Sequence, residues 1–136
     1  MINGELKELL NEKIQQCEFD VVDIPSYFTF FCELGNEVED LQEEVEGWNR
    51  RLQFVLDGLG IYWMTVEDGR FTTGEGILED PDLVLNMSAV DAAQIFAGDK
   101  EATAAYMSGA LKVEGDLPDA AKMLTLIETV IEEIEY

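Results

Sequence analysis

The chemistry open to this chain rests on few residue types. Its 136 residues hold 30 Asp and Glu, 8 Lys and Arg, two cysteines and no histidine. Without an imidazole there is no Ser-His-Asp or Cys-His nucleophile, no His-ligated metal, and no general base of the commonest kind. A catalyst built from these residues would have to use carboxylates, Lys or Tyr. Carboxylates occur throughout, so no pair stands out as an acid/base couple without geometry. Cys17 and Cys32 lack zinc-ligand spacing, and one pair does not make a disulfide framework. Both are expected to be buried, reduced thiols and no metal is expected.

Short motifs fail on inspection. The run of residues 68–79 is acidic at both ends like a calcium loop, but Arg70 stands at its third position and Thr73 where glycine is required. Gly74-Glu75-Gly76 lacks the third glycine of a dinucleotide fingerprint, and Lys112 and Lys122 follow no phosphate loop. Asn86-Met87-Ser88 fits the glycosylation pattern but falls at the end of an expected strand. No cofactor is called for.

A formal charge of −22 repels phosphate backbones and anionic headgroups, which argues against nucleic-acid partners and against adhesion to an acidic bilayer. No stretch approaches the roughly 20 apolar residues of a membrane span, and no basic-then-apolar leader is visible, so a cytoplasmic protein is expected. With 47% hydrophobic residues the chain can nevertheless build a core.

The elements that must position any site follow from periodicity. Residues 3–17 carry Leu6, Leu9, Leu10, Ile14 and Cys17 at helical steps, with Asn3 as a cap. Residues 19–24 are left as loop or extended chain. Pro25-Ser26 opens a second helix bearing Tyr27, Phe28, Phe30, Phe31 and Leu34, stopped by Gly35-Asn36; the same aromatics would also suit a strand. Residues 37–48 put Val38, Leu41, Val45 and Trp48 on one stripe of a third helix, its other faces acidic. The period then changes to two. Residues 51–56 and 61–66 read as strands, the second apolar on both faces and so expected to be covered on both. Residues 70–78 read as a bent third strand and 83–87 as a fourth, giving a four-strand meander. Ser88 caps a helix that stops at Gly98, another runs to Gly109, Leu111 and Val113 mark a fifth strand, and Asp116 with Pro118 starts a long last helix. This is an α+β order, with helices laid on a mostly antiparallel sheet.

The last helix carries the most telling pattern. Ala120, Met123, Leu124, Leu126, Ile127, Val130, Ile131 and Ile134 span an arc of roughly 160°, wider than the ~100° minimum of one core stripe. The surplus can serve deeper burial, a partner protein, or the lining of an apolar cavity.

The run Tyr106-Met107-Ser108-Gly109-Ala110-Leu111-Lys112-Val113-Glu114-Gly115-Asp116-Leu117-Pro118, with Ala121-Lys122-Met123-Leu124 after it, resembles the C-terminal signature of the sterol carrier protein type-2 lipid-binding domain. Residues 83–87 and 91–98 look like that family's apolar strand and short helix ending in Gly, and residues 52–69 like its first hairpin. The resemblance covers residues 37–136, with residues 1–36 as an N-terminal helical extension. It implies a five-stranded sheet backed by helices around an apolar tunnel, no catalytic residues, and a fatty acid, acyl-CoA, sterol, isoprenoid or phospholipid as ligand. By position it makes Phe96, Tyr106, Met107, Leu111, Met123, Leu126, Ile127 and Val130 the cavity-lining candidates. The alternative is an interaction module with a filled core, docked through the aromatic-rich extension on an enzyme of lipid or quinone metabolism. A carboxylate-dependent hydrolase or isomerase is disfavoured by the missing histidine.

Overall fold

The computed structural model describes residues 4–135, without the side chain of Glu135. Asn3, the expected cap of the first helix, lies outside them. The chain forms α1 (Gly4–Gln15), a short 3-10 turn (Val21–Asp23), α2 (Ile24–Glu37), α3 (Glu39–Glu44), β1 (Arg50–Asp57), β2 (Gly60–Glu67), β3 (Arg70–Glu75), β4 (Leu83–Ser88), α4 (Ala89–Phe96), α5 (Ala102–Ser108), β5 (Lys112–Gly115) and α6 (Leu117–Glu135). Of the two conformations open to the aromatic segment, the helix is the one formed. Pro25 sits in its first turn, where a missing N–H costs nothing. The expected third helix shortens to six residues: Val38 is extended before it, and after it Val45 leaves the helical conformation and Gly47 turns at φ +72°.

The sheet has the order β3-β2-β1-β4-β5. Three pairings are antiparallel, while β4 runs parallel to β1, with Phe54 beside Leu85. The meander is therefore corrected: β4 does not follow β3 but lies on the other side of β1. Polar side chains hold the connection in place. Gln53 donates from Nε2 to the carbonyls of Tyr62 (2.7 Å) and Gly76 (2.9 Å), and its Oε1 accepts from the Leu78 N–H (2.7 Å). Asp82 then accepts from the Arg51 N–H, and its own N–H returns to the Arg51 carbonyl. Strand β3 ends at Glu75 rather than at residue 78, since Gly76 turns away at φ +120°.

The helices cover one sheet face. Leu52, Phe54, Leu56, Met64, Val66, Phe71, Leu83, Leu85 and Met87 are buried there. On the other face Ile61, Trp63 and Thr65 are only half-buried, so β2 is not covered on both sides as its composition suggests. Trp63 shields itself by lying across Gly74, where a Cβ would come within 2.5 Å of the indole.

Two contacts fix the helical layer. Gly35 does not stop α2; it lets the helix settle on β3, for a Cβ at this position would lie 2.6 Å from the Phe71 ring. The neighbouring Asn36 carboxamide pairs with the Phe71 backbone, accepting at 2.7 Å and donating at 3.1 Å, which closes that part of an exposed sheet edge. At the other end of the layer Asp119, in the first turn of α6, accepts from Arg50 Nε and from Trp48 Nε1, each at 2.9 Å. The Arg50 hydrogen bond, opposed by burial and helped by Trp48, holds the Asp119 carboxyl below the ordinary aspartate range.

Gly35→Ala should lower stability by about 1–3 kcal/mol through overpacking against Phe71, measured by urea unfolding; an unchanged midpoint would refute the close approach. Because the folded pKa of Asp119 lies below its unfolded value, its contribution is complete above about pH 4 and is lost as pH falls through the folded pKa. Asp119→Asn should therefore destabilise the protein at neutral pH, with the difference from the parent shrinking in acid melts below that point.

Candidate functional site

The interior between sheet and helices is filled with rings from α2. Tyr27 stacks on Phe96 with centroids 4.3 Å apart and planes 12° from parallel, and meets Phe19, Phe28 and Phe31 edge-on. Phe28 in turn contacts Phe54, Tyr62 and Phe96, and Phe31 reaches Phe71. Pro25-initiated helicity puts these rings on the sheet side of α2, and the 3-10 turn before it is fixed by a reciprocal cap between Asp20 and Asp23. Lys13 of α1 pairs with Asp23 at 2.7 Å.

Six of the sequence-derived lining residues enter this core. Phe96, Leu111, Met123, Leu126, Ile127 and Val130 are each at most 1% exposed and belong to one cluster. Tyr106 and Met107 do not join them: both project from α5, exposed by 38% and 80%. Tyr106 lines instead an open groove of about 410 Å³ between α5 and α6, together with Thr103, Leu117, Ala120, Ala121 and Leu124. A second groove, about 380 Å³, lies where the α4–α5 link approaches α6, among Ile95, Gly98, Lys100, Ala102, Ile127 and Ile131. Lys100 is tied back to Asp91 of α4 at 3.0 Å, beside the Ser88 cap that the sequence announced. Helix α5 is held by small side chains; of its seven residues only Ala102 and Ala105 are buried.

Tyr27 is the residue that sequence reasoning treated only as an aromatic. It is fully buried, and its hydroxyl has no hydrogen-bond partner among the described residues. Burial pushes the phenol above its ordinary range, so it remains a neutral donor. The one available signal was its place as the sole hydroxylated ring among Phe28, Phe30 and Phe31. The thiols divide: Cys32 is buried, and burial followed by the Glu33 charge pushes it up to about 12, whereas Cys17 is exposed and not buried as expected. Its position at φ +58°, just beyond α1, turns it out of the helix stripe. Among the described residues no group of three or more Cys, Asp or Glu side chains is placed to hold a metal ion. Likewise no helix among them is long and apolar enough to cross a membrane.

Comparison with known proteins points one way. The model of the SCP-2 sterol transfer family matches residues 30–128. The Hydroxysteroid dehydrogenase-like protein 2 of Xenopus tropicalis is 33% identical over 85 residues, which are 60% of this chain and 20% of that protein. The chain thus spans about a fifth of the length of the curated relatives it matches. Among solved structures, the sterol carrier protein domain 2 of Helicoverpa armigera superposes with a TM-score of 0.63 at 20% identity, over 85% of this chain and 91% of that one. The ubiquinone synthesis protein UbiJ-SCP2 superposes with a TM-score of 0.58 at 15% identity, over 75% and 90%. At such identities the structural matches establish the fold: a five-stranded sheet backed by helices.

Proposed function

The chain belongs to the SCP-2 sterol transfer family, and from that premise we propose that it binds or carries an apolar ligand without catalysing a reaction on it. The observation that carries this reading is the groove of about 410 Å³ between α5 and α6. Other grooves on the surface have similar volumes, and what sets this one apart is the apolar wall given by Leu117, Ala120, Ala121 and Leu124. The same helix carries Met123, Leu126, Ile127 and Val130 into the core, so a chain lodged in the groove lies against the helix that also faces the interior. Helix α5 is the movable wall, since an element anchored by two alanines opens at little cost. Displacing it would uncover the buried cluster that Ala102 and Ala105 share with Ile127, Phe96 and Leu111. Affinity then comes from desolvation, about 0.8 kcal/mol per buried methylene.

The lipid-binding unit, drawn from the sequence at residues 37–136, works as one packed body with α2, whose rings fill the same core. That leaves α1, which buries only Leu10, as the appended piece. The free thiols of Cys17 and Cys32 suit a reducing compartment, in keeping with a cytoplasmic protein.

A second reading has its own support. The six lining candidates pack among buried rings, as they would in an accessory module with a filled core, and the fold is shared with a protein of ubiquinone synthesis. In that case α1 is the docking element, because Tyr27, Phe28, Phe30 and Phe31, the aromatics that suggested docking, are buried in the core.

Native mass spectrometry of freshly purified protein, with solvent extraction and lipid analysis, should show a bound apolar molecule. Ala121→Trp, which fills the groove from an exposed position, should lower affinity for that molecule more than about tenfold while leaving the melting temperature unchanged. Unaltered affinity would remove the groove from the site. A mass that stays apo after incubation with a lipid panel, together with loss of a stoichiometric protein partner on removing residues 1–16, would shift the assignment to the accessory module.

A further inference from the structure

The hydroxyl of Tyr27 is placed where a hydrocarbon would serve the fold better. Every ring it touches, Phe19, Phe28, Phe31 and Phe96, is hydrocarbon, and phenylalanine would fill the same stack with Phe96 at 4.3 Å. A buried hydroxyl without a partner is destabilising. Among the described residues it is also the one buried side-chain polar atom left unpaired. A bridging water would need roughly two to four polar partners, and the side chains the ring meets, Phe19, Phe28, Phe31 and Phe96, supply none. Its stacking partner Phe96 is itself one of the buried lining candidates of the same core.

We infer that Tyr27 reads the polar end of the ligand, its phenol donating a hydrogen bond to an uncharged oxygen acceptor on an otherwise apolar molecule. The inference rests on the apolar-ligand reading above and narrows it. The acceptor is an ester, ketone or quinone carbonyl, or an alcohol oxygen. An ionised carboxylate or phosphate is disfavoured, because the rings around Tyr27 supply no cation and would strip the anion of water. The nearest cation along the preceding segment, Lys13, is committed to Asp23. Ordinary apolar burial accommodates the rest of the ligand, and Tyr27 supplies selection among ligands of similar length.

The test uses the full chain and Tyr27→Phe with three probes of one chain length: methyl dodecanoate, dodecane, and dodecanoic acid at about pH 8, where it is ionised. Tyr27→Phe should weaken the methyl ester about tenfold, the range of one hydrogen bond made in a dry site, and leave dodecane unchanged. Its melting temperature should equal or exceed that of the parent. Independently of the variant, the infrared carbonyl stretch of the ester bound to the parent should lie below its position in alkane solvent. A carbonyl at its alkane-solvent position, equal loss for ester and dodecane, or no loss for either would overturn the inference and leave apolar binding intact. Tighter binding of the ionised acid than of the ester would overturn the selection for neutral ligands. If the parent bound none of the three, the apolar-ligand reading would fail and this inference with it.

Discussion

The wedge of aromatic rings that α2 drives between the sheet and α4 is the constraint on which the rest of the molecule depends. Tyr27 and Phe28 meet Phe96, Phe28 also meets Phe54 of the central strand and Tyr62 of its neighbour, and Phe31 meets Phe71 on the edge strand. One helix therefore touches three of the five strands and the helix that follows the fourth. Aromatic pairs of this kind add about 0.5–1.5 kcal/mol each beyond the area they bury. The close approach at Gly35 belongs to the same constraint, because α2 can bring Phe31 to Phe71 only by lying almost in contact with the Phe71 ring.

Stability is unevenly spread as a result. Helix α2, the sheet and the inner face of α6 hold most of the large buried side chains, whereas α1 buries Leu10 alone and α5 buries two alanines. Elements with so little apolar contact open at a small fraction of the global unfolding free energy. Helix α5 forms one wall of the groove proposed for the ligand, and the segment after α1 supplies Phe19 against Tyr27. A filled interior and a ligand-binding role are then compatible, since the parts most easily moved are those that cover the apolar positions.

What the sequence made legible was local. Period-two alternation located β1 and β2, the Ser88 side chain accepts from the Asp91 N–H as its spacing implied, and Gly109 ends α5 in the left-handed conformation. The wide apolar arc of α6 was legible too, and all of its residues but the half-buried Ile131 are buried. Features that depend on distant partners were not. The parallel pairing of β4 with β1 is secured by Gln53 and Asp82, which in sequence look like any polar residues of a strand and a turn. Gly35 reads as a helix stop, yet its role is set by a phenylalanine on another strand. Met107, chosen as a lining residue from its place in the family signature, is exposed because α5 turns that face outward. The Tyr27 hydroxyl acquires meaning only when the polarity of everything around it is known.

The distribution of charge carries the argument one step further. Of the 8 basic residues, Lys13, Arg50, Lys100 and Lys122 each bind a carboxylate and join separate segments: α1 to the 3-10 turn, β1 to α6, the α4–α5 link to α4, and α6 to α3. The scarce cations are thus used as internal ties within a chain of formal charge −22. A surface of that sign opposes approach to an anionic bilayer within the ~8 Å screening length at physiological salt. It also offers little attraction to an anionic headgroup. The recognition proposed for such a molecule therefore draws on burial of the apolar part of a ligand and on neutral hydrogen bonding, the roles assigned to the α5–α6 groove and the Tyr27 phenol.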